Sequence, residues 1–467
     1  MNKIKIPNEL KKFNEIFSQN GFEAYLVGGA VRDALLGKEI SDWDVATDAK
    51  PEQVMKIFKK VIPTGIDHGT VTVHFMKEEI EVTTFRTESD YSDGRHPDKV
   101  EYCGHIEEDL SRRDFTINAI AASLKDGSIV DPYGGRDDLK KKIIRTVGNP
   151  HERFMEDGLR PVRALRFASK LEFSIEKDTY SEIFEEEVQK KIASISLERF
   201  RDELIKMMSS SKPSVALKMM EETGVMKIFL PELLPCRNCI QNDDRGYHIF
   251  DVMDHNFYAC DGAPKDSPLL RLAALLHDSG KPQARTEKEE DGLKIYNFYR
   301  HEIYSKEIAQ KVLTRLKFSN AQIEYITHLI ENHMFHYESS WSDAAVRRFI
   351  VRVGLENIDS LIDLRLADMY GKYNQDVRLH DSAACALLVE LKDRIKSVEK
   401  QQDALSMKDL KVNGSDLMQE GIPAGKNLGR ILNELFETVL DDPAMNDRDK
   451  LLNLAVNLAE QRGIIVH

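Results

Sequence analysis

The feature that most limits what this chain can fold into is the uneven distribution of its strand-forming sequence. Short β-branched or alternating runs (EAYLV, WDVAT, TVTVHF, EIEVTTF) all fall between about residues 22 and 145, separated by helical stretches such as 51–60. Beyond about residue 150 strand signals nearly vanish and helical patterns follow one another. The expected fold class is therefore α+β: a small head with a mixed sheet, then all-α parts. A chain of 467 residues exceeds one ordinary core. Pro231 and Pro235 with the CRNC turn mark a break near 231–246, and a second break is expected near 405–412. The divisions read from these signals are 1–150, 151–235, 247–404 and 405–467, with no internal repeat or low-complexity linker.

Composition narrows the class further. At 41% hydrophobic and 31% charged residues the chain reads as globular, and it has no apolar run of about 18 residues to span a membrane. Residues 1–17 read as a short amphipathic helix without the apolar centre of a secretion signal. Five cysteines (103, 236, 239, 260 and 385) make no disulfide framework, so a cytoplasmic location is expected. The net charge of −13 argues only weakly against nucleic acid, because phosphate affinity comes from local clusters of Lys and Arg.

The stretch LVGGAVRDALLGKEISDWDVATDA (26–49) carries the first candidate site. Gly28 and Gly29 follow an apolar strand and open a helix, which lets backbone amides approach a phosphate closely. Arg32, one turn in, offers a charged partner to the same oxygens. Alone, this fragment reads as a strand–turn–helix with an exposed arginine. Asp42 and Asp44 shift the balance: residues i and i+2 of a strand share a face, roughly 7 Å apart, and two carboxylates there call for a cation between them. A pair of Mg²⁺ ions about 4 Å apart serves phosphoryl and nucleotidyl transfer. A lone DxD is more often a polar edge strand, so a third acid matters. Glu81 in KEEIEVTTFR lies on the face opposite Ile80 and Val82 and is the candidate.

Together with RRDFTINAIA (112–121), DPYGGRDDLKKKIIRTVG (131–148) and EDGLRPVRALRFA (156–168), these residues resemble four consecutive motifs of the bacterial class II tRNA nucleotidyltransferases, the CCA-adding enzyme and poly(A) polymerase family. The resemblance covers about the first half of the chain. It implies a polymerase β-type head that adds C, C and A to tRNA 3′ ends from CTP and ATP with Mg²⁺. It also implies that Arg113, Asp114 and Asn118 lie near the ribose and phosphates, and that Arg163 and Arg166 add charge for the triphosphate. Asp157 and Arg160 match the pair that this family uses as a protein template. Spaced i, i+3, they are expected on one helix face. A carboxylate only accepts and a guanidinium only donates, which suits the amine and ring nitrogen of C and A and leaves charges unpaired against G and U. Pro161 implies that the helix begins near there or bends. The polar segment 86–100, with Arg86, Asp93 and Arg95, resembles the flexible loop that in this family goes with addition of the terminal A. Narrower or different readings are A addition alone, poly(A) addition, modification of a signalling protein, or a non-catalytic tRNA-binding scaffold.

A second candidate site lies further on. SPLLRLAALLHDSGKP (267–282) is an apolar helix ending in His277 and Asp278. With His255 before it and Asp368 after it, the order resembles the HD phosphohydrolase superfamily, which implies a metal site suited to Mn²⁺, Mg²⁺, Ni²⁺ or Fe²⁺. His301 and His333 could support a second ion. Phosphatase or phosphodiesterase activity accompanies such a domain in some relatives; a purely tRNA-binding domain is the alternative. Cys236 and Cys239 have zinc-knuckle spacing without a second pair and read as a loop. FEEEVQKK reads as a solvated helix face, as do Arg347, Arg348 and Arg352, for which a tRNA phosphate contact is the alternative.

Overall fold

The alternating runs of the first 130 residues pair into one sheet in the computed structural model, which describes residues 3–40, 42–66, 69–89, 99–241, 248–401 and 405–464. Two of the predicted loop residues, Asp93 and Arg95, lie outside the described residues. The strands are β1 (Ala24–Val27), β2 (Trp43–Thr47), β3 (Val61–Gly65), β4 (Thr70–Phe75), β5 (Glu78–Thr84), β6 (Arg86–Ser89), β7 (Lys99–Tyr102), β8 (Ala121–Ser123) and β9 (Ile129–Val130). Seven of them form a sheet in the order β3-β4-β5-β2-β1-β8-β9, while β6 and β7 make a separate hairpin. Only the β2–β5 pairing is parallel, so the sheet is mixed. Its register sets Val45 against Val82 and Asp44 against Glu81. Because side chains alternate, the valines enter the core while both acids point to the opposite face.

The core beneath the valine face is closed by α1 (Asn8–Gln19), whose Leu10, Phe13 and Phe17 recur at helical spacing and are fully buried. Phe13 stacks on Phe58 with centroids 4.6 Å apart and meets Phe17 edge-on at 5.3 Å; each such ring contributes about 2–3 kcal/mol by burial. The following helices are α2 (Gly29–Leu35), α3 (Pro51–Ile57), α4 (Ile106–Ser111), α5 (Gly135–Lys141), α6 (Pro150–Glu156), α7 (Leu159–Leu171), α8 (Lys177–Glu182), α9 (Glu186–Ala193) and α10 (Leu197–Met208). Eleven of the thirteen residues of α7 are buried, including Arg160 and Arg166, so its guanidinium groups need partners within the protein.

By its internal contacts the chain divides into two units: Met1–Leu234 with Val312–Phe318, and Pro235–Lys311 with Ser319–His467. In the second unit, helices Val252–Gly262 and Ile358–Tyr373 approach until a Cβ at Gly371 would lie 2.7 Å from the His255 carbonyl oxygen. That closeness brings His255 and Asp368 within reach of each other. A separate core near the end joins Leu417, Ile431, Leu435 and Leu451.

The expectation of all-α structure beyond residue 150 is corrected in two places: Ser174–Ile175 is a short strand that pairs in parallel with Ile143–Ile144, and a hairpin follows further on. Arg285–Glu290 and Leu293–Phe298 form an antiparallel hairpin in full register. Asp291 and Gly292 turn it with φ of 53° and 77°, the Asp-Gly chemistry of a tight hairpin. The strongest short-range signal was in the sequence, but a run of charged residues masked the alternation around it. Arg347 is likewise not solvated: it is buried and donates to the carbonyl oxygens of Leu440 and Asp441, and Arg348 pairs with Glu437 and Asp441. Cys236 and Cys239 are buried and belong to neither of the potential metal-holding groups found among the described residues. Among those residues no helix is long and apolar enough to cross a membrane.

Candidate active site and candidate metal centre

A cleft of about 600 Å³ in the first unit is lined by Gly28, Gly29, Arg32, Asp42, Asp44, Arg113, Asp114, Asn118, Asp157, Arg160, Arg163 and Arg166, twelve residues singled out from the sequence. Gly28 follows β1 and caps α2 with φ 65° and ψ −132°, a conformation that side chains resist. A Cβ there would lie 3.0 Å from Arg113 Nη1 and 3.7 Å from Asp44 Oδ2. The missing side chain is therefore what leaves room for the Arg113 guanidinium and the Asp44 carboxylate beside the backbone.

Asp42 precedes β2 by one residue and is exposed, whereas Asp44 lies within the strand and is half-buried. Burial pushes the Asp44 carboxyl above its usual range, with Arg113 pulling it down and Asp42 pushing it up. Glu81, opposite Asp44 in register, is also raised, first by desolvation and then by Asp44. Two acids raised by burial, each with a further carboxylate beside it and only acceptor atoms to offer, fit a divalent cation.

The cleft floor is a chain of paired charges. Arg32 Nη1 donates to Asn118 Oδ1 at 2.7 Å, and Asn118 Nδ2 donates to Asp114 Oδ1 at 3.0 Å. Arg163 closes on the other oxygen, Asp114 Oδ2, with two bonds of 2.9 and 2.6 Å. Burial alone would raise Asp114, but Arg163 and Asn118 outweigh it and hold the carboxyl down at about 2. Arg166 pairs with buried Glu203, which also takes Lys206 Nζ at 3.1 Å. The guanidiniums of Arg166, Arg32 and Arg163 stand 4.0, 5.3 and 5.5 Å from the Phe167 ring centre, whose face accommodates cations.

Asp157 and Arg160 line the same cleft but do not share a helix face. Asp157 ends α6 with extended φ −140° and ψ 109°, and α7 starts two residues later. Its Oδ1 accepts from the Leu159 amide at 2.9 Å, in the manner of a helix cap. Pro161 thus stands in the first turn of a new helix, where its missing N–H costs nothing. A Cβ at Gly158 would come within 2.4 Å of the Lys191 carbonyl oxygen, so the joint needs glycine. Arg160 does not pair with Asp157. It donates to Glu156 Oε2 at 2.5 Å, to the Arg153 carbonyl at 3.2 Å and to the Arg112 carbonyl at 3.0 Å.

Several groups escaped the sequence reading. Arg112, Lys170, Arg199 and Lys206 also line the cleft, which therefore carries nine cationic side chains against four carboxylates in a chain of net charge −13. Lys170 follows Arg163 and Arg166 at i+7 and i+4, a spacing that could have revealed it. Asp109 is fully buried: Oδ1 accepts from Arg112 Nε and Nη2 at 2.9 and 2.7 Å, and Oδ2 from Arg113 Nη2 at 3.1 Å. The Arg86 amide, at the base of the β6–β7 hairpin, is 3.4 Å from the same Oδ1. Asp109 thus joins the hairpin to two arginines of the cleft.

The second unit gathers His255, His277, Asp278, His301, His333 and Asp368, all buried. Ligand atoms of His255, His277 and Asp368 lie within 4.8 Å of one another, as do those of His277, Asp278 and His333. Asp278 bridges: Oδ2 is 3.2 Å from His255 Nε2 and Oδ1 is 3.0 Å from His301 Nε2. The Nδ1 atoms of His301 and His333 reach the carbonyl oxygens of Phe298 and Ile330 at 2.8 and 2.7 Å, and carbonyls only accept. Both Nε2 atoms then present lone pairs, yet they face each other at 3.2 Å beside a carboxylate. Three acceptors around one point fit a cation.

Three family models match the chain: Poly A polymerase head domain over residues 24–145, "Probable RNA and SrmB- binding site of polymerase A" over 172–236, and tRNA nucleotidyltransferase domain 2 over 296–455. The CCA-adding enzyme of Ligilactobacillus salivarius is 33% identical over 462 residues, 98% of either chain. That of Enterococcus faecalis is 35% identical over 96% of both. Among solved structures, the Bacillus stearothermophilus CCA-adding enzyme in complex with CTP superposes with a TM-score of 0.74 at 29% identity, covering 97% of this chain and 98% of that one.

Proposed function

The chain belongs to the family of CCA-adding enzymes and is a nucleotidyltransferase; from that premise we propose that it adds C, C and A to the 3′ end of tRNA, using CTP and ATP and no nucleic-acid template. The observation that carries the proposal is the single cleft holding Asp42 and Asp44 together with Asp157 and Arg160 amid nine cationic groups. In this reading the RNA 3′-hydroxyl attacks the α-phosphate and pyrophosphate leaves. Arg32, Arg163, Arg166 and Lys170 hold the triphosphate. Arg113, beside Gly28 and within electrostatic reach of Asp44, steadies the phosphate nearest the acids. Two Mg²⁺ ions held by Asp42 and Asp44, with Glu81 as third carboxylate, would supply charge neutralisation and a lowered pKa for the attacking hydroxyl. Asp157 accepts from the exocyclic amine of C or A while Arg160 donates to the ring nitrogen; G and U would leave both unpaired.

The test offers the protein tRNAs ending before CCA, after the first C and after the second, with CTP and ATP supplied separately. Full CCA addition requires C incorporation on the first two and A on the third. Incorporation of A alone, on the tRNA already carrying CC, would refute it.

For the second unit we propose a divalent-metal centre: His255, His277, Asp278 and Asp368 around one ion, with Asp278, His301 and His333 offering a second position. The opposed Nε2 lone pairs of His301 and His333 support it. Such a centre suits hydrolysis of phosphate esters. Elemental analysis of the purified protein is expected to find up to two ions per chain, with one fewer in His301→Ala. Phosphate release from a phosphomonoester, abolished in Asp278→Ala, tests the hydrolytic reading.

A further inference from the structure

Asp157 can read a base only if its carboxylate stays put. The terminal torsion of an aspartate is broad and two-fold, and this one sits in the joint between α6 and α7, outside regular helix. Two contacts fix it. The Leu159 amide holds Oδ1, and Arg199, from α10, places its guanidinium fork across both oxygens, Nη1 to Oδ1 at 3.0 Å and Nη2 to Oδ2 at 2.7 Å. Arg199 and Asp157 are both mostly buried, with side chains 20% and 17% exposed. Arg160 is meanwhile retained by Glu156 and two backbone carbonyls. The two base-reading groups are thus held apart by separate partners, although they lie three residues from each other and carry opposite charges.

We infer that Arg199 is a specificity-determining positioning residue: its bidentate bond to Asp157 fixes the plane of the carboxylate that meets the incoming base, and keeps it from swinging to Arg160. The inference rests on the base-reading role proposed above for Asp157 and Arg160. A fork sets both distance and plane, whereas a lysine ammonium in its place would supply charge without plane.

The test measures kcat/KM for CTP against UTP on tRNA ending before CCA, and for ATP against GTP on tRNA ending in CC. Wild type, Arg199→Lys, Arg199→Ala and Asp157→Ala are compared as full-length protein. Both Arg199 variants are expected to lower the two ratios by about 10- to 100-fold, the worth of a charge-assisted hydrogen bond. Arg199→Lys decides the matter if Arg199→Ala does not fold. Wild-type ratios in the Arg199 variants, or an equal fall for all four nucleotides, would overturn the inference. If Asp157→Ala loses discrimination while the Arg199 variants keep it, the base-reading role stands and only the role of Arg199 is lost. If Asp157→Ala keeps wild-type ratios, the base-reading role fails and the inference with it.

Discussion

Replacing Gly28 with alanine is expected to damage the enzyme far more than the same change at Gly29, though the two are neighbours in the sequence. At Gly28 the backbone has φ 65° and ψ −132°, and the new Cβ would press on Arg113 Nη1 at 3.0 Å. Holding a non-glycine residue in such a region costs about 1–3 kcal/mol. For a unit of this size that lowers the melting temperature by about 2–10 °C. Arg113 must also yield by a few tenths of an ångström, and misplacement near reacting groups lowers kcat/KM by about 10- to 100-fold. At Gly29 a Cβ meets only Arg32 Nη2, at an ordinary 3.5 Å, so a change within about 0.5 kcal/mol is expected. Thermal melts and single-nucleotide incorporation with CTP decide between them. Equal losses in the two variants would refute the assignment of strain and contact to Gly28.

Three further outcomes follow from the charges. Because burial and Asp42 raise the Asp44 carboxyl, stability present below the usual aspartate range is lost as pH rises through the raised value; in EDTA, Asp44→Asn is expected to melt above wild type by a margin that grows with pH, while its incorporation rate falls by about 10²- to 10⁴-fold. Asp114, held down at about 2 against an ordinary 3.8, contributes about 2 kcal/mol that is present above 3.8 and lost as pH falls toward 2, so acid melts of Asp114→Asn are expected to be flatter than wild type in that window. Asp109→Ala leaves Arg112 and Arg113 without their buried carboxylate, and a loss of about 3–5 kcal/mol in denaturant unfolding is expected.

Patterns written in neighbouring residues carry over into the strands of the sheet but not into every helix. Strand alternation around Val45 and Val82 predicts which face is core, and parity then puts Glu81 with Asp44; the register that makes them direct neighbours is a long-range fact no local pattern contains. The i, i+3 spacing of Asp157 and Arg160 suggests a shared helix face, yet Pro161 and Gly158 start a new helix between them. Pro161 was the visible clue; the tight approach of Lys191, which demands Gly158, was not. Asp109 stayed hidden because an ordinary helical charge pair looks the same when buried and when solvated, and Arg199 because its partner Asp157 is distant in the sequence; only packing reveals either. His255, His277, Asp278 and Asp368, read together from the sequence, lie together in the fold, but the orientations of His277, His301 and His333 depend on backbone carbonyls that come into place only there.

The hairpin Arg285–Phe298 has a practical consequence. Its strands leave and return side by side, with Arg285 opposite Phe298, and the Asp291-Gly292 tip is exposed. A fluorescent reporter or affinity tag spliced into that tip would hang from a two-stranded stalk without lengthening any path through the interior. The stalk cannot be trimmed to its root, however. The Phe298 carbonyl is the anchor for His301 Nδ1, and a cut reaching it would remove the partner that turns Nε2 toward Asp278 and His333.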